Sequence, residues 1–333
     1  MTTCFRVHRR RFIAISAAVA GLPLLPIAAR AATRPLLRVW TGDALGADAT
    51  LQIHHPDPVA ADRLIARALA EVQRLERVLS LYEKDSALCR FNRARALDHP
   101  PLDLVRVLTE AHHYHALTSG SFDVTVQPLW DLYAAHFTRP GADPAGPPAV
   151  AVTAALACVG QGALEVAPDR VFFNRPGMAA TLNGIGQGYI TDRVVELLRA
   201  EGVEHALVDM GETRAVGTHP AGGPWRVGIE DPVAPGQVAE HVLLTNCAIA
   251  TSGGYGTQFD PAGRFNHIFD PTNGHTSWRY RAISVVAPTA TEADALSTAF
   301  CLMPMEQIHS MVKARKLVAY LATTDGQRLL IES

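Results

Sequence analysis

Asp294 and Thr298 stand four positions apart in Thr291-Glu292-Ala293-Asp294-Ala295-Leu296-Ser297-Thr298. On a helix that spacing puts a carboxylate and a hydroxyl on one face. Together they are hard oxygen donors suited to Mg²⁺, with phosphate oxygens and water completing the octahedron. The same stretch also fits a capping box, in which Asp294 only closes off a helix start opened by Thr291. Upstream lie Thr251-Ser252-Gly253-Gly254-Tyr255 and Asn266-His267-Ile268-Phe269-Asp270-Pro271-Thr272-Asn273-Gly274. His267 is of the type that accepts a proton from a hydroxyl nucleophile near neutral pH, and equally of the type that settles as a hydrogen-bonded structural residue.

Three further segments have residue types that suit a ligand. In Ser119-Gly120-Ser121-Phe122-Asp123-Val124-Thr125 the small residues let backbone approach a ligand, while Asp and Thr supply polar contacts; a loop closing a helix at Gly120 explains it as well. Asn183-Gly184-Ile185-Gly186-Gln187-Gly188 opens a helix, where free N–H groups and the helix dipole favour phosphate. Its G-x-G-x-G spacing departs from G-x-G-x-x-G, and Met178–Leu182 is a poor buried parallel strand, so a Rossmann unit is not expected. Tyr82, in Leu81-Tyr82-Glu83-Lys84-Asp85-Ser86 running into Arg90-Phe91-Asn92, either presents a ring to a flat ligand from a polar turn or marks a helix-to-turn junction.

The elements that position these residues follow from periodicity. Leu36–Ile53 reads as a strand pair, and Pro58–Ser80 as a helix with Leu64, Ala68, Leu69, Val72, Leu75 and Leu79 on one face. Leu102–Leu117 repeats that pattern, whereas His136–Val150, rich in Pro, Gly and Ala, reads as loop. Gly188–Glu201 is a helix ended by Gly202, followed by a strand at His205–Asp209. Val238–Ile249 and Ala282–Val286 read as strands, Thr291–Leu302 as a helix, and Val318–Leu321 with Arg328–Ile331 as a hairpin around Asp325-Gly326. Strands and helices do not alternate regularly, which favours α+β over a doubly wound sheet.

A chain of 333 residues, 48% hydrophobic and with a formal charge of −2, can bury a large core. It has no sustained basic stripe beyond the N-terminus, so no nucleic-acid partner is expected. Arg9, Arg10 and Arg11 precede Phe12 and Ile13 in the pattern of a twin-arginine leader, and Ile13–Ala29 is apolar. That stretch is shorter than the ~20 residues of a membrane span and is interrupted by Gly21, Pro23 and Pro26. Ala29-Arg30-Ala31 offers a cleavage site, so residues 1–31 are expected to be a leader read by the twin-arginine translocase. The mature, periplasmic chain would start near Ala32. Cys89, Cys158, Cys247 and Cys301 follow neither a zinc nor a dense disulfide pattern and are expected to be buried free thiols.

In this order, S-G-S-F-D-V-T at 119–125, the glycine-rich helix start at 184–189, A-T-S-G-G-Y at 250–255, H-I-F-D-P-T-N-G at 267–274 and A-D-A-L-S-T-A at 293–299 resemble the ApbE family of FAD:protein FMN transferases. The resemblance runs from about Leu45 to Met303. It implies an α+β fold over one domain, 32–333, with mixed or antiparallel sheets flanked by helices and FAD in a cleft. It implies that Tyr82, Ser121, Phe122, Asp123 and Ile268 line the flavin or adenine pocket, and that Leu45 stands where the family has an FAD-contacting Met. Mg²⁺ would be held by the carbonyl of Gly184, by Asp294 and by Thr298, with Ser297 beside them.

The implied reaction moves the FMN half of FAD to a threonine of a client flavoprotein and releases AMP, with His267 as base. Water in place of threonine would make an FAD pyrophosphatase. A non-catalytic periplasmic FAD carrier and a nicotinamide oxidoreductase are the competing classes. The chain departs from the family's D-L-G-G-I-A-K-G at Thr181, Asn183 and Gln187, which loses an FAD-contacting carboxylate and a positive charge near phosphate. The family's paired Gly before Glu is reduced to Gly211-Glu212. Together with the leader, these departures resemble the NosX-like branch, whose client is a membrane flavoprotein of nitrous oxide respiration.

Overall fold

The computed structural model describes residues 35–44 and 46–333; residues 1–34, which contain the expected leader, and Leu45 lie outside the described residues. The chain opens with the hairpin β1 (Leu36–Ala44) and β2 (Ala47–His55), then α1 (Pro58–Leu79), α2 (Ala87–Ala94), β3 (Ala96–Asp98) and α3 (Leu102–Leu117). Next come α4 (Gln127–Phe137), α5 (Ala149–Leu156), β4 (Leu164–Val166), β5 (Arg170–Phe173) and α6 (Gly186–Ala200). β6 (His205–Asp209), β7 (Thr213–Val216), β8 (Trp225–Glu230), β9 (Val238–Leu244), β10 (Ala248–Ser252) and β11 (Tyr280–Ala287) follow. The last elements are α7 (Ala290–Phe300), α8 (Met305–Arg315), β12 (Val318–Thr323) and β13 (Arg328–Glu332).

The central sheet runs β1-β2-β6-β7-β10-β11-β12-β13 and is antiparallel at every pairing. β3-β5-β4 and β8-β9 form two small antiparallel sheets. The fold is α+β, as the irregular succession of elements implies; the sheets are antiparallel rather than mixed.

Apolar spacing turns one face of each long helix inward. α1 begins under the side chain of Asp57, which accepts from Val59 N (2.8 Å) and Ala60 N (3.2 Å), with Pro58 pre-set at the first helical position. It buries Leu64, Ala68, Val72, Leu75 and Leu79 in the main core, which α3, α6 and α7 share with one face of the central sheet. A second cluster around Trp225, Val227 and Leu244 fills the space between that sheet and the β8–β9 ribbon. A third, aromatic cluster lies under α4 and α5, built on Leu129, Tyr133, Val152 and Phe269. Among the described residues no helix is long and apolar enough to cross a membrane.

Several local expectations are corrected. Val238–Ile249 is two strands in different sheets, because Asn246 takes a left-handed φ of 54° and turns the chain out of the ribbon. Its side chain fixes the turn by accepting from Gly217 N (2.9 Å). The polar turn after Tyr82 ends at Ser86, which starts α2, the helix that contains Arg90-Phe91-Asn92, by accepting from Cys89 N (3.0 Å). The capping box is absent, since α7 starts earlier, under Thr289, which accepts from Glu292 N (3.2 Å). Asp192 of α6 does the rest of the capping, accepting from Ala290 N (2.8 Å), Thr291 N (2.9 Å) and Thr291 Oγ1 (2.6 Å) while paired with buried Arg214 (2.5 Å). Among the described residues Cys89, Cys158, Cys247 and Cys301 form no disulfide, and of these only Cys301 is buried.

Candidate active site

Four chain segments meet at one narrow cleft. The first follows α3, whose end is turned by left-handed Ser119 and Gly120 (φ 51° and 86°). Gly120 N donates to His115 O (2.9 Å) and Phe122 N to Thr118 Oγ1 (3.0 Å), which aims Ser121 and Phe122 at the cleft. Asp123 also lines it, yet its carboxylate is engaged within the loop. It accepts from Thr125 N (2.7 Å), Thr125 Oγ1 (2.5 Å) and Gln161 N (3.0 Å), so it acts here as an anchor.

The second segment, 180–184, is clamped by Asn92, whose side chain both donates to Ala180 O and accepts from Ala180 N at 2.8 Å. Thr181, Asn183 and Gly184 face the cleft there. Of the glycines that follow, Gly188 serves packing. A Cβ on Gly188 would lie 2.3 Å from Ala290 O and 2.9 Å from Asp294 Cβ, so the absent side chain is what lets α6 and α7 touch. Gln187 does not line the cleft: it is buried and packs against Gly211 in the β6–β7 turn.

The third segment joins the end of β10 to α7. Ser252 Oγ is 2.8 Å from Ser297 Oγ and 3.1 Å from Thr298 Oγ1, and a Cβ on Gly184 would come within 3.0 Å of that Thr298 hydroxyl. Ser252, Thr298 and Gly184 line the cleft; Asp294 and Ser297 are buried immediately behind it, with Asp294 Oδ2 accepting from Gly188 N (3.1 Å). The expected Mg²⁺ donors Gly184, Asp294, Ser297 and Thr298 are therefore brought together across 114 positions of chain, Gly184 to Thr298, and all offer hard oxygens. Among the described residues no group of three or more His, Cys, Asp or Glu is placed to hold a metal. A cation bound by this set would draw its remaining oxygens from substrate phosphates and water, as Mg²⁺ commonly does.

The fourth segment brings His267 and Ile268 to the cleft. His267 N and Nδ1 both lie 3.2 Å from Thr257 O, and Ile268 N donates to Asn266 Oδ1 (2.8 Å). With its proton on Nδ1, a neutral imidazole carries its basic lone pair on Nε2. The turn after it is closed by Asp270, which accepts from Thr272 N and Asn273 Nδ2 at 2.8 Å. Tyr82 stands apart, 55% exposed and outside the cleft. Residues not assigned from sequence complete the lining: Val124, Val126, Trp130, Phe269 and Leu302. Of these Val124 and Phe269 sit in segments whose residue types pointed to a ligand.

The family model described as the ApbE family matches residues 45–321. A Klebsiella pneumoniae protein named FAD:protein FMN transferase is 30% identical over 300 residues, covering 87% of this chain and 85% of that one. The solved structure of the flavin transferase ApbE from Vibrio cholerae is similar with a TM-score of 0.76 at 26% identity, covering 89% of this chain and 97% of that one. That of the Pseudomonas stutzeri flavinyl transferase ApbE, in its apo form, has a TM-score of 0.74 at 27% identity, covering 91% and 96%.

Proposed function

Since the chain belongs to the ApbE family, we propose that it is an FAD:protein FMN transferase, exported to the periplasm, that flavinylates a threonine of a client protein. The observation that carries the reading is the convergence of Gly184, Ser252 and Thr298 with His267 and Phe122 in one cleft. Hydroxyls and a main-chain carbonyl suited to a cation–pyrophosphate complex thus sit beside a base and an apolar ring surface.

In the reaction the client's threonine oxygen bonds to the phosphorus on the riboflavin side of the pyrophosphate. The bridging P–O bond breaks, its electrons leave on AMP, and the hydroxyl proton passes to a base. His267, held through Thr257 O, is oriented to take that proton on Nε2. Phe122 and Ile268 exclude water from one side of the cleft. Asp294, Thr298 and the Gly184 carbonyl would hold Mg²⁺, with Ser297 positioning the hydroxyls through Ser252. When bound, Mg²⁺ neutralises charge on the pyrophosphate and on the departing phosphate.

His267→Asn is expected to slow transfer about 10²-fold with little change in FAD affinity. The effect sits at the low end for a general base, because a loose phosphoryl-transfer transition state needs the nucleophile's proton removed late. An unchanged rate removes His267 as the base.

Residues 1–31 form the leader and 32–333 the catalytic domain, and the client is a membrane flavoprotein of the kind that serves nitrous oxide respiration. Cell fractionation of the full-length protein tests export; retention in the cytoplasm argues against it. The reaction is tested by incubating residues 32–333 with FAD, Mg²⁺ and a candidate client domain, measuring AMP and in-gel flavin fluorescence. AMP together with a fluorescent client supports transfer, AMP without one indicates a pyrophosphatase, and neither product sinks the proposal.

A further inference from the structure

Trp130 is placed as a recognition element that the pyrophosphate chemistry does not use. It sits on α4 and lines the cleft with Val126 and Phe269. Its ring meets Phe259 edge-to-face, with centroids 5.7 Å apart and planes at 72°. Phe259 in turn contacts Tyr133 (6.0 Å) and Phe269 (5.9 Å), so the indole is held in a rigid aromatic cluster. Its Nε1–H is buried and has no hydrogen-bond partner among the described residues. Buried indole N–H groups normally find an acceptor. Trp225 and Trp278 do so, donating to Val216 O (3.3 Å) and Arg264 O (2.9 Å).

Two other buried polar atoms, on neighbouring stretches of chain that do not line the cleft, share the condition. Gln127, one turn earlier on the same face of α4, ties its Nε2 to Asp131 Oδ1 (2.7 Å), while its Oε1 has no partner among the described residues. Thr257 Oγ1, two residues from Phe259, has none either. Elsewhere in the cleft the Ser252 and Thr298 hydroxyls hydrogen-bond one another. Of the three unmatched groups Trp130 is the one that lines the cleft, and it does so beside the apolar side chains of Val126 and Phe269.

We infer that Trp130 is a specificity-determining residue that meets a planar heterocycle of the bound dinucleotide edge to edge and donates its indole N–H to an acceptor atom on that ring. The inference rests on the reading that FAD occupies this cleft. Flavin and adenine both offer a flat ring with edge acceptors, so the test carries both halves.

Purified residues 32–333 and the Trp130→Phe variant, which keeps an aromatic ring but loses the donor, are titrated with FAD, FMN and AMP. The variant is expected to bind FAD about tenfold more weakly, with an unchanged kcat and an unchanged melting temperature. The same loss should appear for only one half: with FMN if the ring is the flavin, with AMP if it is adenine. In the wild type, the indole N–H resonance that Trp130→Phe deletes should move downfield on addition of FAD. Equal affinities of the two proteins for all three ligands, or an indole resonance unmoved by saturating FAD, overturns the inference. Failure of the wild type itself to bind FAD overturns the functional reading and the inference with it.

Discussion

Asp294→Ala is expected to reduce transfer at least about 10³-fold while leaving a folded protein. Loss of an oxygen donor from a cation at a pyrophosphate removes several kcal/mol of transition-state stabilisation, and ~4 kcal/mol corresponds to three orders of magnitude. Because Asp294 is fully buried and accepts from Gly188 N, the alanine variant also leaves an amide unpaired where α6 meets α7. That adds a stability loss of about 1–3 kcal/mol. Asp294→Asn separates the two effects, since it retains an acceptor for Gly188 and loses only the charge. AMP release measured against Mg²⁺ concentration, alongside thermal unfolding, distinguishes them. Wild-type turnover by Asp294→Asn at low Mg²⁺ removes Asp294 from the metal set.

The second large effect lies away from the cleft. Asp192→Ala should lower unfolding stability by about 3–5 kcal/mol, because it strands the buried Arg214 guanidinium as an unpaired charge. It also uncaps α7 at Ala290 N and Thr291 N. A loss of this size is a large fraction of a typical ~5–15 kcal/mol total. Urea unfolding monitored by circular dichroism measures it, and a change below about 1 kcal/mol would show that Asp192 is not the brace described. The fraction that remains folded should keep the wild-type KM for FAD, since neither Asp192 nor Arg214 lines the cleft.

These two residues mark where the sequence was legible and where it was not. The hairpin of β1 and β2, the apolar stripe of α1 and the stop at Gly202 (φ 78°) follow from local rules, and each forms close to where spacing puts it. The meeting of Gly184, His267, Phe122 and Thr298 was anticipated only from the order of motifs in a resemblance, because no local rule brings such distant segments together. The capping of α7 was misjudged for a related reason. Thr291 and Asp294 have the local spacing, but the actual partner, Asp192, is 98 residues from Ala290. The glycines at 184–188 suggested a phosphate cradle, whereas Gly188 serves the close approach of two helices. Trp130 follows an unremarkable Gln-Pro-Leu, and nothing in its neighbours distinguishes a cleft wall from a core position.

The two walls of the cleft belong to different apolar clusters. Phe122, Val124 and Ile268 are continuous with the main core beneath the sheet, whereas Val126, Trp130 and Phe269 belong to the small aromatic cluster under α4 and α5. Under selection, or in a directed library, these walls constitute separable modules. Substitutions confined to the aromatic side leave the packing around Asp294 and Thr298 untouched, so the proposed ring contacts have room to drift among descendants while the proposed metal donors stay in place.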